Sequence, residues 1–375
     1  MDFTITEVSS KADLLKFVKS QWYFYQNDPN FVPPIIADRK KLLNTKKNPF
    51  YKHSVIQLFM AVSDGLVIGR IAAIINDNHN KTWKDKVGFF GFFECINDQK
   101  VANSLFDAAA DWLKARGMES MRGPENPSQN DEVGLLADGF DLPPVILMTY
   151  NPKYYMTLIE NYGFKKAKDL YAYHLINKEY LSDKAQRLQN IIRQRYKVSL
   201  RNVNFKNKEQ FKKDVDTLKD IYNRAWEPNW GFVKMTEEEF DFLADDLKMI
   251  ADPEYTFIAE INGKVAGFAL GLPDINQSLI YNKGGSLLGA LWHMTTKKKK
   301  INTLRIIVLG VLPEYQKTGI DSIMYYELGT RGIPKGVQFG EASWILEDNT
   351  MMNRGLTVTM KSERYKTYRL YEKDI

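Results

Sequence analysis

Apolar residues alternate with polar or small ones on both sides of a two-residue turn in "FMAVSDGLVIG" (59–69) and again in "FIAEINGKVAG" (257–267). Period-two alternation sends successive side chains to opposite faces of a sheet. Asp64-Gly65 and Asn262-Gly263 are dipeptides that accept the positive φ of a tight type I′ turn, so each stretch predicts a β-hairpin. The two align without a gap at an offset of 198, matching Phe59 with Phe257, Gly65 with Gly263 and Gly69 with Gly267. The same offset pairs Asn151 with Asn349, Leu158 with Leu356, Lys168 with Lys366 and Tyr173 with Tyr371, in two segments that each read as a helix followed by a strand. Between these anchors each half holds a further apolar strand, "VGFFGFFEC" or "TLRIIVLGVL", and an amphipathic helix. The order of elements therefore repeats. It predicts an α+β chain of two similar domains in tandem, each a twisted mixed sheet flanked by helices.

The polar stretch "NKEYLSDKAQ" interrupts the pattern and places the boundary near residues 176–186, giving domains 1–178 and 179–375. Each half is expected to open with helices. In the first, the prolines of "NDPNFVPPI" end helix and start an extended segment. In the second, Thr236 reads as the cap of "EEEFDFLADDLKMI", with acids in the first turn and Phe240, Leu243, Leu247 and Ile250 on one face. Further on, Ile320, Ile323, Met324 and Leu328 make an apolar stripe and Gly329 reads as a helix stop.

Composition supports two ordinary cores. The chain has 375 residues, 44% apolar and 13% aromatic, far from a disordered profile. Its 52 basic and 46 acidic residues leave a charge of +6, mixed in sign along most of the chain, so nucleic acid is not an expected partner. The densest basic run, Lys297–Lys300, reads as a solvated loop, with contact to an anion as the alternative. One cysteine, Cys95, excludes an internal disulfide framework, and His53, His79, His174 and His293 lack ligand spacing, so no metal is expected. No apolar run reaches the ~18 residues of a membrane span, and the start lacks a basic-then-apolar leader pattern. The expectation is a cytoplasmic protein without membrane contact.

The segment "PEYQKTGIDSIMYYELGTRG" (313–332) carries a Gln, a Gly three residues later and then a helix. In its setting of hairpin, strand, Gln-x-x-Gly loop, helix, strand and an Asn-opened helix, it resembles the GNAT acyltransferase superfamily. Gln316 and Gly319 match the superfamily's Gln/Arg-x-x-Gly-x-Gly/Ala signature, and Asp321 departs from it. Tandem GNAT-like arrangements also occur among N-myristoyltransferases and Fem-type aminoacyl transferases. The resemblance implies acetyl-coenzyme A as co-substrate, bound around Val311, Gln316, Lys317, Thr318, Gly319, Ile320, Asp321 and Ser322, with Asn349 at the helix-opening position. The physical basis is a helix start whose unpaired N–H groups and dipole attract a diphosphate, entered through a glycine that lets the backbone approach. Asp321 leaves two alternatives. Either its carboxylate turns outward while the loop still binds the diphosphate, or it stabilises a helix that no longer binds one. The corresponding first-half loop, "CINDQKVANSLF", has Gln99 and Lys100 but no glycine, so the first half is expected to be degenerate as a cofactor site.

Acyl transfer to an amine needs removal of the amine proton, polarisation of the thioester carbonyl and protonation of the thiolate. The superfamily often uses a Tyr on the closing helix for the last step. Counting back from the Gly-Phe pair places that position at Ile159 in the first half and Thr357 in the second, so neither half keeps it. Tyr365 and Tyr368 lie in a strand pattern where packing is the ordinary role. Glu341, in the strand "FGEASWIL", is the candidate general base. Trp344 in the same strand is a core residue or a pocket wall, and Asn349 also reads as a simple N-cap. The long Pro-, Gly- and Asn-rich loop 121–144 offers Asn126, Asn130 and Glu132 for contact with the acceptor. The expected partner is a small-molecule or peptide amine. Rival readings are a catalytically silent scaffold of the same fold and aminoacyl transfer from a charged RNA, the latter opposed by the missing basic stripe.

Overall fold

The computed structural model describes residues 1–176 and 181–375. Its chain forms two compact units. One contains 1–170, 278–295 and 366–375, and the other 171–277 and 296–365. The boundary expected at 178/179 lies outside the described residues, and the units differ from contiguous halves by the two later segments that join the first unit.

In the first unit β1 (Thr4–Glu7), β2 (Ser54–Ser63), β3 (Leu66–Asn76), β4 (Val87–Cys95) and β5 (Ser120–Gly123) follow one another across a mixed sheet. The end of the chain completes it, with Tyr371 opposite Gly123 and Asp374 opposite Ser120. Short β6 (Glu125–Asn126) and β7 (Glu132–Val133) pair with each other, and β8 (Leu135–Asp138) pairs with the final strand. This unit opens with a strand, where helices were expected. Phe3 and Ile5 flank Thr4 in alternation and pack on the core, so pairing β1 with β2 buries apolar surface that a helix would leave exposed. The helix Gln99–Lys114 lays Val101, Ala102, Leu105, Phe106, Ala109 and Leu113 on this sheet, at the spacing of one helical face.

The second unit takes up β9 (Lys165–Ile176) from residue 171. It continues with β10 (Val198–Asn202), β11 (Thr256–Ile261), β12 (Lys264–Pro273), β13 (Thr303–Val311) and β14 (Phe339–Leu346), and includes the first residues of β15 (Glu363–Asp374). Both predicted hairpins form around left-handed pairs, φ 49° and 79° at Asp64-Gly65 and 51° and 74° at Asn262-Gly263. Thr236 caps its helix with a full capping box. The helix Ile320–Gly332 buries Ile320, Ile323, Met324 and Leu328 as the stripe predicts, and adds Tyr325. It does not stop at Gly329. A side chain there would meet Leu181 at 3.3 Å, so this glycine serves close packing inside the helix.

Candidate active site

β13 and β14 run parallel and in register only from Thr303–Ile306 against Phe339–Ala342. β13 then bulges at Ile307: Leu270 of β12 faces Val308 while the next residue, Gly271, faces Ile306. Past this point β13 stays with β12 up to Val311, and Ser343–Leu346 of β14 run on without it. Two parallel strands that part leave unpaired backbone groups between them, a gap in which an extended thioester arm can add its own hydrogen bonds. At the vertex Leu304, Ile306 and Ala342 face the helix Ile320–Gly332 as core. Alternation therefore turns Arg305, Glu341 and Ser343 to the opposite face of the sheet.

These three residues are buried together. Arg305 donates from Nε to Ser343 Oγ at 3.2 Å and from Nη2 to the Ser343 carbonyl at 3.2 Å. Ser343 Oγ donates to Glu341 Oε2 at 2.8 Å, and Arg305 Nε lies 3.7 Å from the same oxygen. The other oxygen, Oε1, accepts from the hydroxyl of Tyr365 at 3.3 Å. Glu341 is fully buried, whereas Tyr365 is half-exposed. His174 packs its ring 5.7 Å from Tyr365 and 4.9 Å from Phe339, and burial pushes its pKa down, with Glu363 acting weakly the other way. The sequence does not mark Arg305 or Ser343, and it shows His174 only as a histidine without ligand spacing. The cross-strand register that joins Arg305 to Glu341 is the signal that only the fold supplies.

β13 leads through Leu312 and a single turn at Pro313–Tyr315 into the loop. Thr318 closes the turn by donating its hydroxyl to the Tyr315 carbonyl at 2.7 Å. Lys317 and Gly319 both take left-handed backbone, φ 65° and 85°, and Gly319 is the N-cap of Ile320–Gly332. Such alternation is the backbone pattern of an anion-binding nest, here at the dipole's positive end, with the Thr318 amide itself donating to the Tyr315 carbonyl at 3.4 Å. As N-cap, Gly319 brings no side chain to this helix start. Asp321 and Ser322 follow in the first turn. Asp321 is one turn before Tyr325, and its charge adds to burial in raising the pKa of the Tyr325 hydroxyl. A side chain at Gly319 would meet Cδ1 of Ile192 at 2.8 Å, so the loop entrance is also close-packed.

The equivalent place in the first unit is closed. β4 and β5 pair in parallel at Val87–Phe89 and Ser120–Arg122 and then part. There the amide of Phe92 donates to Asn126 Oδ1 at 2.6 Å. The Asp98 carboxylate, at the N-cap of Gln99–Lys114, accepts from the amides of Lys100 at 2.8 Å and Val101 at 3.4 Å. The protein's own acid thus takes the donors that a diphosphate would need.

The remaining sequence candidates are scattered. Asn349 is the N-cap of the closing helix Thr350–Arg354, accepting from the Met352 amide at 3.2 Å. Glu132 pairs with Arg39 at 2.6 Å, and the Asn130 amide donates to Ser128 Oγ at 3.2 Å within the same loop as Asn126. Val311 ends β13, and Trp344 is half-exposed on β14. Thr357 lies exposed in the π-turn Gly355–Thr359. No group of three or more His, Cys, Asp or Glu side chains suited to a metal exists among the described residues.

Residues 215–338 match the family model described as the acetyltransferase (GNAT) family. Protein YghO of Escherichia coli K12 is 35% identical over 374 residues, covering 98% of this chain and 94% of its own. The bacterial ceramide synthase of Caulobacter vibrioides is 34% identical over 387 residues, covering 99% of this chain and 97% of its own. Among solved structures, a tandem GNAT protein from the clavulanic acid biosynthesis pathway superposes over all of this chain and 98% of its own, with a TM-score of 0.58 at 10% identity. A GCN5-related N-acetyltransferase from Sphaerobacter thermophilus covers 99% and 95%, with a TM-score of 0.55 at 11% identity. At such identities these two report the fold alone. Taken with the end-to-end relatives, they show that this chain is a tandem-fold member of the GNAT acyltransferase family.

Proposed function

We propose that this protein joins the acyl group of a coenzyme A thioester to the primary amine of a long-chain amino alcohol, the amide-forming step that makes a ceramide. The observation that carries the reading is the match to the bacterial ceramide synthase over nearly the whole of both chains. The left-handed entry at Lys317–Gly319 supports a diphosphate there, and the parting of β13 and β14 supports a thioester arm between them. The first unit, its equivalent helix start filled by Asp98, has the architectural part.

In the reaction the amine nitrogen attacks the thioester carbonyl carbon, a C–N bond forms, the C–S bond breaks and the thiolate leaves to take a proton from solvent. The amine must lose one proton. Tyr365 is half-exposed with Glu341 behind its hydroxyl, so Tyr365 receives that proton as its own passes to Oε1. Glu341 is then the final acceptor of the proton, held in place by Ser343 and electrostatically by Arg305. A neutral His174 beside the Tyr365 ring adds no competing charge.

The test is a product assay. Purified protein with palmitoyl-coenzyme A and sphinganine is expected to release free thiol and an equal amount of N-palmitoyl-sphinganine by mass spectrometry. Acetyl-coenzyme A in the same assay distinguishes short-chain from long-chain donors. Thiol release without amide, or amide formation only on short soluble amines, overturns the acceptor class.

A further inference from the structure

The helix Leu287–Thr296 turns apolar side chains to water. Leu287, Leu288, Leu291 and Trp292 are 50%, 80%, 53% and 66% exposed, while Ala290 on the other side is buried. Positions i, i+1, i+4 and i+5 share one helical face, so these four form one patch. The patch is not a frayed end. Ser286 Oγ accepts from the Gly289 amide at 3.0 Å, and Asn282 Nδ2 donates to the Ser286 carbonyl at 3.0 Å. The preceding turn is pinned as well, by Trp22 Nε1 donating to the Lys283 carbonyl at 2.6 Å and the Ile36 amide donating to the Gly285 carbonyl at 2.9 Å. Lys297–Lys300 follow the helix directly in the chain, and Lys298, Lys299 and Lys300 are exposed.

We propose that the segment 287–300 docks the protein on an anionic lipid surface, with Leu288, Leu291 and Trp292 in the acyl boundary and the lysines against headgroup phosphates. Two independent features call for this partner. A rigid patch of three leucines and a tryptophan favours apolar cover, and Trp in particular suits the level of the headgroups. Four successive lysines in the residues that follow the helix in the chain call for negative charge. A second copy meeting this patch with its own equal patch would bring a second run of lysines; an anionic bilayer offers both apolar cover and negative charge. The helix has ten residues, and no helix among the described residues is long and apolar enough to cross a membrane, so the mode is attachment to one leaflet. This departs from the sequence expectation of a solvated loop without membrane contact, and it stands independently of the acyl-transfer reading.

Vesicle flotation of the full chain tests it, using phosphatidylcholine alone and phosphatidylcholine mixed with phosphatidylglycerol. Binding to the mixed vesicles is expected to exceed binding to neutral ones by about tenfold and to weaken as salt rises. Leu288→Asp with Trp292→Asp, both at exposed positions, is expected to lower recovery about tenfold with an unchanged melting temperature. Lys298→Gln, Lys299→Gln and Lys300→Gln together are expected to abolish the preference for phosphatidylglycerol. Equal recovery of wild type and the Asp variant overturns the proposal. So does a dimer by sedimentation that the Asp variant splits while neither protein floats, which would assign the patch to a second copy.

Discussion

The hydroxyl of Tyr365 donates to Oε1 of Glu341 at 3.3 Å, which links a half-exposed phenol to a fully buried carboxylate whose other oxygen is held by Ser343. If the amine proton leaves along this pair, Tyr365→Phe lowers the rate of amide formation by about a hundredfold with little change in KM for the thioester. Steady-state kinetics of the variant check this. A change in KM alone would make Tyr365 a binding residue.

Glu341→Gln has a second cost. It removes the carboxylate charge 3.7 Å from buried Arg305, and removing one partner of a buried pair typically costs about 3–5 kcal/mol. Urea unfolding is expected to show a loss of that order for Glu341→Gln and less than about 1 kcal/mol for Tyr365→Phe. Equal losses would mean that the vertex is a stability device and that the kinetic effect of Glu341→Gln reports unfolding.

Asp321 faces the same helix start as the proposed diphosphate. Asp321→Asn removes a repulsion near the dipole's positive end worth about 0.3–1 kcal/mol, which is a two- to fivefold tightening of coenzyme A binding. The same change slightly destabilises the free protein. Calorimetry reads the first effect and thermal melting the second, and a weakened affinity would show that Asp321 contributes to the cradle.

Asp98 supplies the contrasting case. Asp98→Ala frees two amides at the start of Gln99–Lys114 and is expected to destabilise by about 1 kcal/mol, as a lost N-cap does, with coenzyme A affinity unchanged. A chemical melt and a titration together check both halves of this statement.

His79 makes the first unit acid-sensitive. Burial, aided by Arg122 and opposed by Glu372, pushes its pKa from 6.5 down to about 3, although Nε2 lies 3.4 Å from Asp85 Oδ2. In the unfolded chain the imidazole takes its proton near its ordinary value, so below that pH the unfolded state binds more protons than the folded one. Stability is therefore full above pH 6.5 and falls as pH drops from there toward 3, by up to about 1.4 kcal/mol per pH unit. Urea midpoints measured from pH 7 to 5 are expected to fall more steeply for wild type than for His79→Gln.

Local pattern made much of this fold legible. Period-two runs around Asp64-Gly65 and Asn262-Gly263 specify hairpins without outside help, and the stripe from Ile320 to Leu328 specifies a buried helix face. The Gln316-x-x-Gly319 loop was legible because a left-handed glycine before a helix has a local cause. The destination of the last strand was not, since its pairing of Tyr371 with Gly123 joins residues far apart in sequence. The Arg305–Glu341–Ser343–Tyr365 cluster was hidden for the same reason. Its members come from three strands, and only the register of β13 on β14 brings Arg305 to Glu341. Asp98 had a readable signal, an acid immediately before an apolar-periodic helix, which a search for glycine passes over.

The proposed chemistry requires a coenzyme A diphosphate at the helix start after Gly319. Gly319→Val forbids that entry, because φ is 85° and the new side chain would meet Ile192 at 2.8 Å. Calorimetric titration of coenzyme A into wild type and into folded Gly319→Val is the direct test. Saturable binding to wild type at one site, weakened at least about tenfold in the variant, is the predicted result. Equal affinity in the two proteins, or no binding to either, contradicts it.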